Sequence, residues 1–177
     1  MEAPEVPLEK SQEHIHEHAR ESGEKWVMGV ALVTAIFAAA AAIASLLAGQ
    51  HINEGMICQI QASDQWALYQ AKGIKAEVLD AKMELLAAQK TPGSVADVAK
   101  AAQYKKDQAL ISAKAEALES DSREHIKKHE KLAGAVTFFQ IAIAISAIAV
   151  LTKKRMFWYV GICSGVVGMA ELVMALR

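Results

Sequence analysis

Three long apolar stretches alternate with polar segments along the chain. Residues 26–48, 132–151 and 156–176 contain one charged side chain between them, Glu171, whereas residues 50–131 contain twelve Lys and Arg and twelve Asp and Glu. About 20 helical residues cross the hydrocarbon core of a bilayer, and a charge near its centre costs about 2.5–3.5 kcal/mol. The pattern therefore predicts three transmembrane helices, preceded by a polar N-terminal tail over residues 1–25.

The polar segment 50–131 has the composition of two helices joined by a turn. Its one strong turn signal, Thr91-Pro92-Gly93-Ser94, lies near its middle. The sequences on either side are free of proline and rich in Ala, Lys, Glu and Leu, which favour helix. The fold class is thus all-α: three transmembrane helices, with a long antiparallel, coiled-coil-like helical hairpin between the first and second and its turn at 91–94.

The first arm of this hairpin carries an apolar seam at alternating spacings of three and four, typical of coiled coils. Its members are Ile57, Ile60, Asp64, Ala67, Ala71, Ile74, Val78, Ala81, Leu85 and Ala88. The second arm has a looser series: Val95, Val98, Ala102, Ala109, Ala113 and Ala117. Since alanine buries little area, we expect one pair of arms to hold weakly and copies of the chain to associate as a homo-oligomer. Asp64 and the nearby Trp66 are candidate interface residues.

The apolar stretches contain two further features. Gly161 and Gly165 form a small-residue face on the third span, which favours close approach of another helix and predicts a second oligomer contact. Glu171 on the third span and Thr137 and Gln140 on the second are polar groups at membrane depth. An intramembrane carboxylate indicates either an ion or proton pathway or a side chain that reaches the interface, here beside Arg177.

The short loop between the second and third spans is purely basic, Lys153-Lys154-Arg155. Short basic loops remain in the cytoplasm. We therefore predict a cytoplasmic N-terminus and a hairpin on the opposite side of the membrane.

Two groups of histidines invite a metal interpretation. His14 and His18 would share one helix face in the tail, and closing the hairpin at 91–94 would bring together His51, Glu54, His125 and His129, with Glu54 near His129. Bound zinc needs three or four converging ligands, so we favour a solvated tail and ordinary ion pairs over a metal site.

Composition and motifs narrow the function classes. The hairpin is charge-balanced and the net charge of the chain is −1, so the sequence does not predict a basic surface that would bind nucleic acid. The sequence contains no phosphate-binding loop, dinucleotide fingerprint, zincin motif or nucleophile elbow. We expect no enzymatic activity and no cofactor; the expected partners are the lipid bilayer and further copies of the chain.

Parts of the sequence resemble a known family. The segment Ser-Asp-Gln-Trp-Ala-Leu-Tyr-Gln-Ala-Lys at 63–72 and the run Phe-Gln-Ile-Ala-Ile-Ala at 139–144, with the basic loop after it, are similar to a bacterial family of three-span membrane proteins catalogued only as a domain of unknown function. The resemblance implies the bacterial cytoplasmic membrane and adds no catalytic residue. The leading functional hypothesis is a self-associating scaffold or interaction module, and the alternative is an ion or proton channel or transporter subunit that uses Glu171.

Overall fold

Three long helices account for nearly all of the computed structural model, which describes residues 13, 15, 17 and 25–177. Helix α1 runs from Lys25 to Ala88, α2 from Val95 to Thr152 and α3 from Arg155 to Ala175. No strand occurs within the described residues. The all-α prediction is confirmed, and each helix contains a stretch long and apolar enough to cross a membrane. His14, His16 and His18 lie outside the described residues.

The helices belong to two compact units. The bundle unit comprises residues 1–52 and 127–177, and the hairpin unit comprises residues 53–126. Helices α1 and α2 each contribute to both units, whereas α3 belongs to the bundle unit alone.

The turn of the hairpin unit begins before its proline. Lys90 has a φ of 54°, its N–H bonds to the carbonyl of Ala87 at 3.0 Å, and the N–H of Thr91 bonds to the carbonyl of Leu86 at 2.9 Å. This paired arrangement closes a helix with one left-handed residue, a position usually taken by glycine. Pro92 and Gly93 then separate α1 from α2.

The bundle unit has two apolar clusters built from all three helices. The larger includes alanines of α1 and α2, Leu172 and Ala175 of α3, and the rings of Phe37 and Phe139, whose centroids are 5.8 Å apart. The smaller joins Val27, Val30, Ala31 and Val150 to Ile15, which is 2% exposed. The tail, predicted to be solvated, therefore buries one of its apolar side chains.

Candidate functional site

The two arms of the hairpin unit touch through very small residues. Every fully buried position in this unit is Gly, Ala or Ser, and they recur mostly in steps of seven or fourteen: Gly55, Ala62 and Ala76 on α1, and Ala101, Ala115 and Ser122 on α2. Because residues seven apart return to nearly the same helix face, each arm presents one narrow stripe of small side chains. The Ser122 hydroxyl donates to the carbonyl of Gly55 at 2.8 Å, which fixes the register near one end.

Polar contacts tie the arms together beside this stripe. The Trp66 Nε1–H donates to Glu119 at 2.8 Å, and the Gln108 side chain donates to the carbonyl of Tyr69 at 3.2 Å. Three ion pairs add to them, Lys72–Asp107 at 2.7 Å, Lys82–Asp97 at 2.6 Å and Lys105–Asp80 at 2.9 Å. The hydrogen bond from the Lys72 ammonium, with a second from Gln103, lowers the pKa of Asp107 below its ordinary value.

The predicted apolar seam does not form the contact between the arms. All ten of its members are exposed, and its largest side chains, Ile57, Ile60, Ile74, Val78 and Leu85, are between 52 and 62% exposed. With about 100° of rotation per residue, the seam lies on the face of α1 opposite Gly55, Ala62 and Ala76. Expecting the seam to close the hairpin was wrong, because alanine and glycine allow a closer approach than isoleucine and leucine.

The second arm repeats this arrangement. Its predicted series, from Val95 to Ala117, is exposed at all six positions, while Ala101, Ala115 and Ser122 are buried on another face of α2. In the hairpin unit, therefore, every fully buried position carries a small residue, and both predicted apolar series lie on exposed faces. The small-residue stripe was missed in the sequence, although its seven-residue repeat was the signal that would have revealed it.

The predicted interface residues of the hairpin fall on different faces. Asp64 is exposed within the seam. Trp66 is half-buried beside the other arm, where its ring packs edge-on against Tyr69 with centroids 5.5 Å apart. Asp64 is thus exposed on the seam, whereas Trp66 already makes contacts within its own chain, and the role of both as interface residues stays a prediction.

In the histidine group predicted near the ends of the hairpin, the histidine that lies beside Glu54 is not the expected one. His125 Nδ1 lies 3.2 Å from a Glu54 carboxylate oxygen, one helical turn away from the expected partner His129. In the bundle unit, His129 Nδ1 is instead 3.0 Å from the carbonyl oxygen of Ala48. His51 is half-buried on α1. The absence of a metal site here stays a prediction.

The glycine face of α3 is used within the chain. A Cβ on Gly165 would collide with the ring of Phe37, and a Cβ on Gly161 would lie 2.8 Å from Ser146 Oγ and 3.0 Å from the carbonyl oxygen of Ala142. The two glycines, predicted to contact a second copy, therefore receive α1 and α2 of the same chain. Both glycines are thus buried by helices of their own chain, and a contact with a second copy at this face stays a prediction.

The polar groups of the candidate spans occupy varied environments. Thr137 is exposed, and its hydroxyl donates to the carbonyl of Ala133 in its own helix at 2.9 Å. Gln140 and Glu171 are half-buried. No ion pair joins Glu171 to Arg177, both of which are among the described residues, so the expected pairing of these two is not formed.

A family model described as a domain of unknown function, DUF4337, matches residues 26–177. No curated protein and no solved structure matches the chain. The matched segment contains α2, α3 and all of α1 except its first residue, together with both motifs on which the resemblance was based. The chain belongs to the DUF4337 family.

Proposed function

We propose that this protein is a self-associating membrane scaffold, anchored by three spans and joined to other copies through its hairpin unit. One observation carries the proposal: the coiled-coil seam of α1 is exposed along its whole length in the single chain. Contiguous apolar surface of this kind marks interaction sites on proteins. Since the arms already close through another face, the seam remains available to a partner.

The chemistry of the seam favours a second helix as that partner. Residues that recur at spacings of three and four form the stripe that packs knobs into holes against a similar stripe. A second copy supplies such a stripe without any further component. The proposal includes neither an enzymatic role nor a cofactor, and the balanced charge of residues 50–131 offers nucleic acid no basic surface.

We place the protein in the bacterial cytoplasmic membrane, with its N-terminus in the cytoplasm and its hairpin unit in the periplasm. The basic loop Lys153-Lys154-Arg155 supports this orientation. The test is labelling of Cys58 in a Cys163→Ser variant with a membrane-impermeant thiol reagent. Labelling in intact spheroplasts is expected, and labelling confined to inverted vesicles would reverse the orientation.

Self-association itself is tested by mass photometry in mild detergent. The unmodified protein is expected to form a defined oligomer, and Ile74→Glu with Val78→Glu should shift it to monomer, because two charges enter the seam. The control carries the same two charges at exposed positions off the seam, Gln59→Glu and Ala87→Glu, and should assemble normally. A monodisperse monomer for the unmodified protein would refute the scaffold function.

A second candidate is an ion or proton pathway that uses Glu171. It is favoured by the half-buried position of this carboxyl on a candidate span, where it has no ion pair within the described residues. Thr137 and Gln140 are the other polar groups of that pathway. Ion and proton flux into protein-containing liposomes, abolished by Glu171→Gln, is the expected result; equal flux with and without protein excludes it.

A further inference from the structure

The two edges of the seam carry opposite charges. Glu77 and Glu84 each precede a seam residue, Val78 and Leu85, and form an acidic edge. Lys75 and Lys82 each follow a seam residue, Ile74 and Ala81, and form a basic edge. All four side chains are exposed. In heptad terms these are the positions that select the partner of a coiled coil and its direction.

We propose that the partner at this seam is a second copy whose α1 lies parallel to the first and in the same register. This inference rests on the proposed function and specifies how the scaffold assembles. In a parallel pair the acidic edge of one helix lies along the basic edge of the other, with an offset of five residues. Glu77 of each copy then meets Lys82 of the partner subunit, which gives two identical pairs.

An antiparallel pair lacks this complementarity. It aligns each edge with the same edge of the other copy, so that no glutamate meets a lysine across the seam's flanks. Lys82 already contacts Asp97 at 2.6 Å, but its side chain is 53% exposed and its ammonium has two further donors for a glutamate.

The parallel register also assigns an effect to Asp64. Its carboxylate meets the same carboxylate of the second copy in one layer of the seam, and these like charges oppose association. In an antiparallel pair, Asp64 instead lies near the basic edge of the other helix and assists association. The sign of the Asp64→Asn effect therefore reports the direction of the helices: strengthened assembly for parallel, weakened for antiparallel.

Disulfide cross-linking tests the direction. In a Cys58→Ser, Cys163→Ser background, Ile60→Cys and Leu85→Cys are placed in turn near opposite ends of the seam, in the full chain in mild detergent. Parallel helices in register should cross-link each variant to itself. Cross-linking only in a mixture of the two variants, with assembly intact by mass photometry, overturns the parallel arrangement and leaves the scaffold function standing. Monomers without cross-links overturn both.

A charge substitution tests the register. Gln70 is exposed on the acidic edge, and in a parallel pair it faces Lys75 of the partner subunit. Gln70→Glu adds two oppositely charged pairs per dimer and should tighten association roughly two- to tenfold. The matched control Gln59→Glu adds the same charge away from both edges and should leave association unchanged. Unchanged or weaker association of the Gln70→Glu variant overturns the proposed register.

Discussion

Small residues face different neighbours in the bundle unit and in the hairpin unit. In the bundle unit, Gly165 and Gly168 make room for the rings of Phe37 and Phe139. The space left by the absent side chains on one helix is thus occupied by large side chains of its neighbours. In the hairpin unit, glycine, alanine and serine positions line both arms at their contact. Gly161 and Gly168 also approach backbone carbonyls of α2, but the bundle unit sets small residues against aromatic rings, whereas the fully buried positions of both hairpin arms are all small.

This difference determines where apolar area remains uncovered. Burial stabilises by about 25 cal/mol for each Å² of apolar surface, and an alanine contributes little of it. The hairpin unit therefore closes with help from hydrogen bonds and ion pairs, and leaves the isoleucines and valines of the α1 seam exposed. The closed hairpin unit thus leaves these large seam side chains on its surface.

The largest expected effect comes from filling the glycine groove of the bundle unit. Gly165→Leu places a side chain where the ring of Phe37 lies, between α3 and α1. Overpacking of a dense interior costs roughly 1–3 kcal/mol and occasionally more, and here the obstacle is a buried aromatic ring. We expect at least about 3 kcal/mol of destabilisation, measured as a loss of thermal stability in detergent by circular dichroism.

Gly134 provides the control for this substitution. A Cβ at Gly134 on α2 would meet nothing within 4 Å, so Gly134→Ala should cause no loss of stability and should stabilise slightly, since alanine favours helix more than glycine. Truncation of the obstructing ring in a Phe37→Ala, Gly165→Leu double variant should recover part of the loss. If Gly165→Leu kept full stability but dissociated an oligomer, the groove would serve contacts between copies instead.

A smaller loss is expected from enlarging the stripe between the arms. Ala115 is fully buried on α2, and Ala115→Leu would force the arms apart at a cost of about 1–3 kcal/mol. Two residues earlier, Ala113 is exposed and serves as the matched control. Hydrogen exchange of residues 53–126 should accelerate in Ala115→Leu and remain slow in Ala113→Leu; equal exchange in both would mean that the stripe is not the tight contact.

Removal of one polar link should cost less again. Trp66→Phe keeps an aromatic ring beside Tyr69 but deletes the hydrogen bond to Glu119, worth about 1 kcal/mol for a half-exposed pair. Tyr104→Phe retains the ring that Lys72 approaches at 4.9 Å and is the control. The measurement is the rate of hydrogen exchange near residues 66 and 119, which should rise in Trp66→Phe. Exchange that stays slow in this variant would show that the indole contributes packing only.

The smallest expected effect is a dependence of the stability of the hairpin unit on acidic pH. Hydrogen bonding to Lys72 lowers the pKa of Asp107 below 3.8, so the folded arms favour its ionised form. The stabilisation of the hairpin unit by ionised Asp107 is therefore complete above about pH 4 and is lost as the pH falls through the lowered pKa. Asp107→Asn should remove this part of the acid response of the hairpin unit, while the exposed Asp121→Asn should not. Identical acid profiles for the two variants would contradict the role of Lys72.

Much of the fold follows from the distribution of charge in the sequence. The three apolar stretches and the absence of proline on either side of Pro92 were sufficient for an all-α protein with a hairpin between its first two spans. The family assignment followed from local motifs, and the family model confirms it. The spans and the hairpin depend on composition over many residues, and for this reason they can be predicted without a structure.

The faces of the helices were harder to predict. Hydrophobic periodicity identifies which residues share a stripe, but not which partner the stripe meets, and the α1 seam proved to face outward. The glycines of α3 were recognised as a packing face, yet a single sequence does not specify whose helix enters it. The turn signal at 91–94 lies between the two helices, as predicted, but it did not specify that Lys90, just before it, adopts the left-handed conformation.

The seven-residue repeat of the stripe creates an ambiguity that the polar links resolve. Sliding one arm past the other by one heptad would again bring some small residues opposite each other, but it would also place Tyr69 and Gln108, which interrupt the stripe, against buried alanines. The link from Ser122 to Gly55, the Trp66–Glu119 hydrogen bond and the Lys72–Asp107 pair exist only in the observed alignment. These few groups, together with the short connection after Ala88, fix the register of two arms whose repeating small residues alone would permit other alignments.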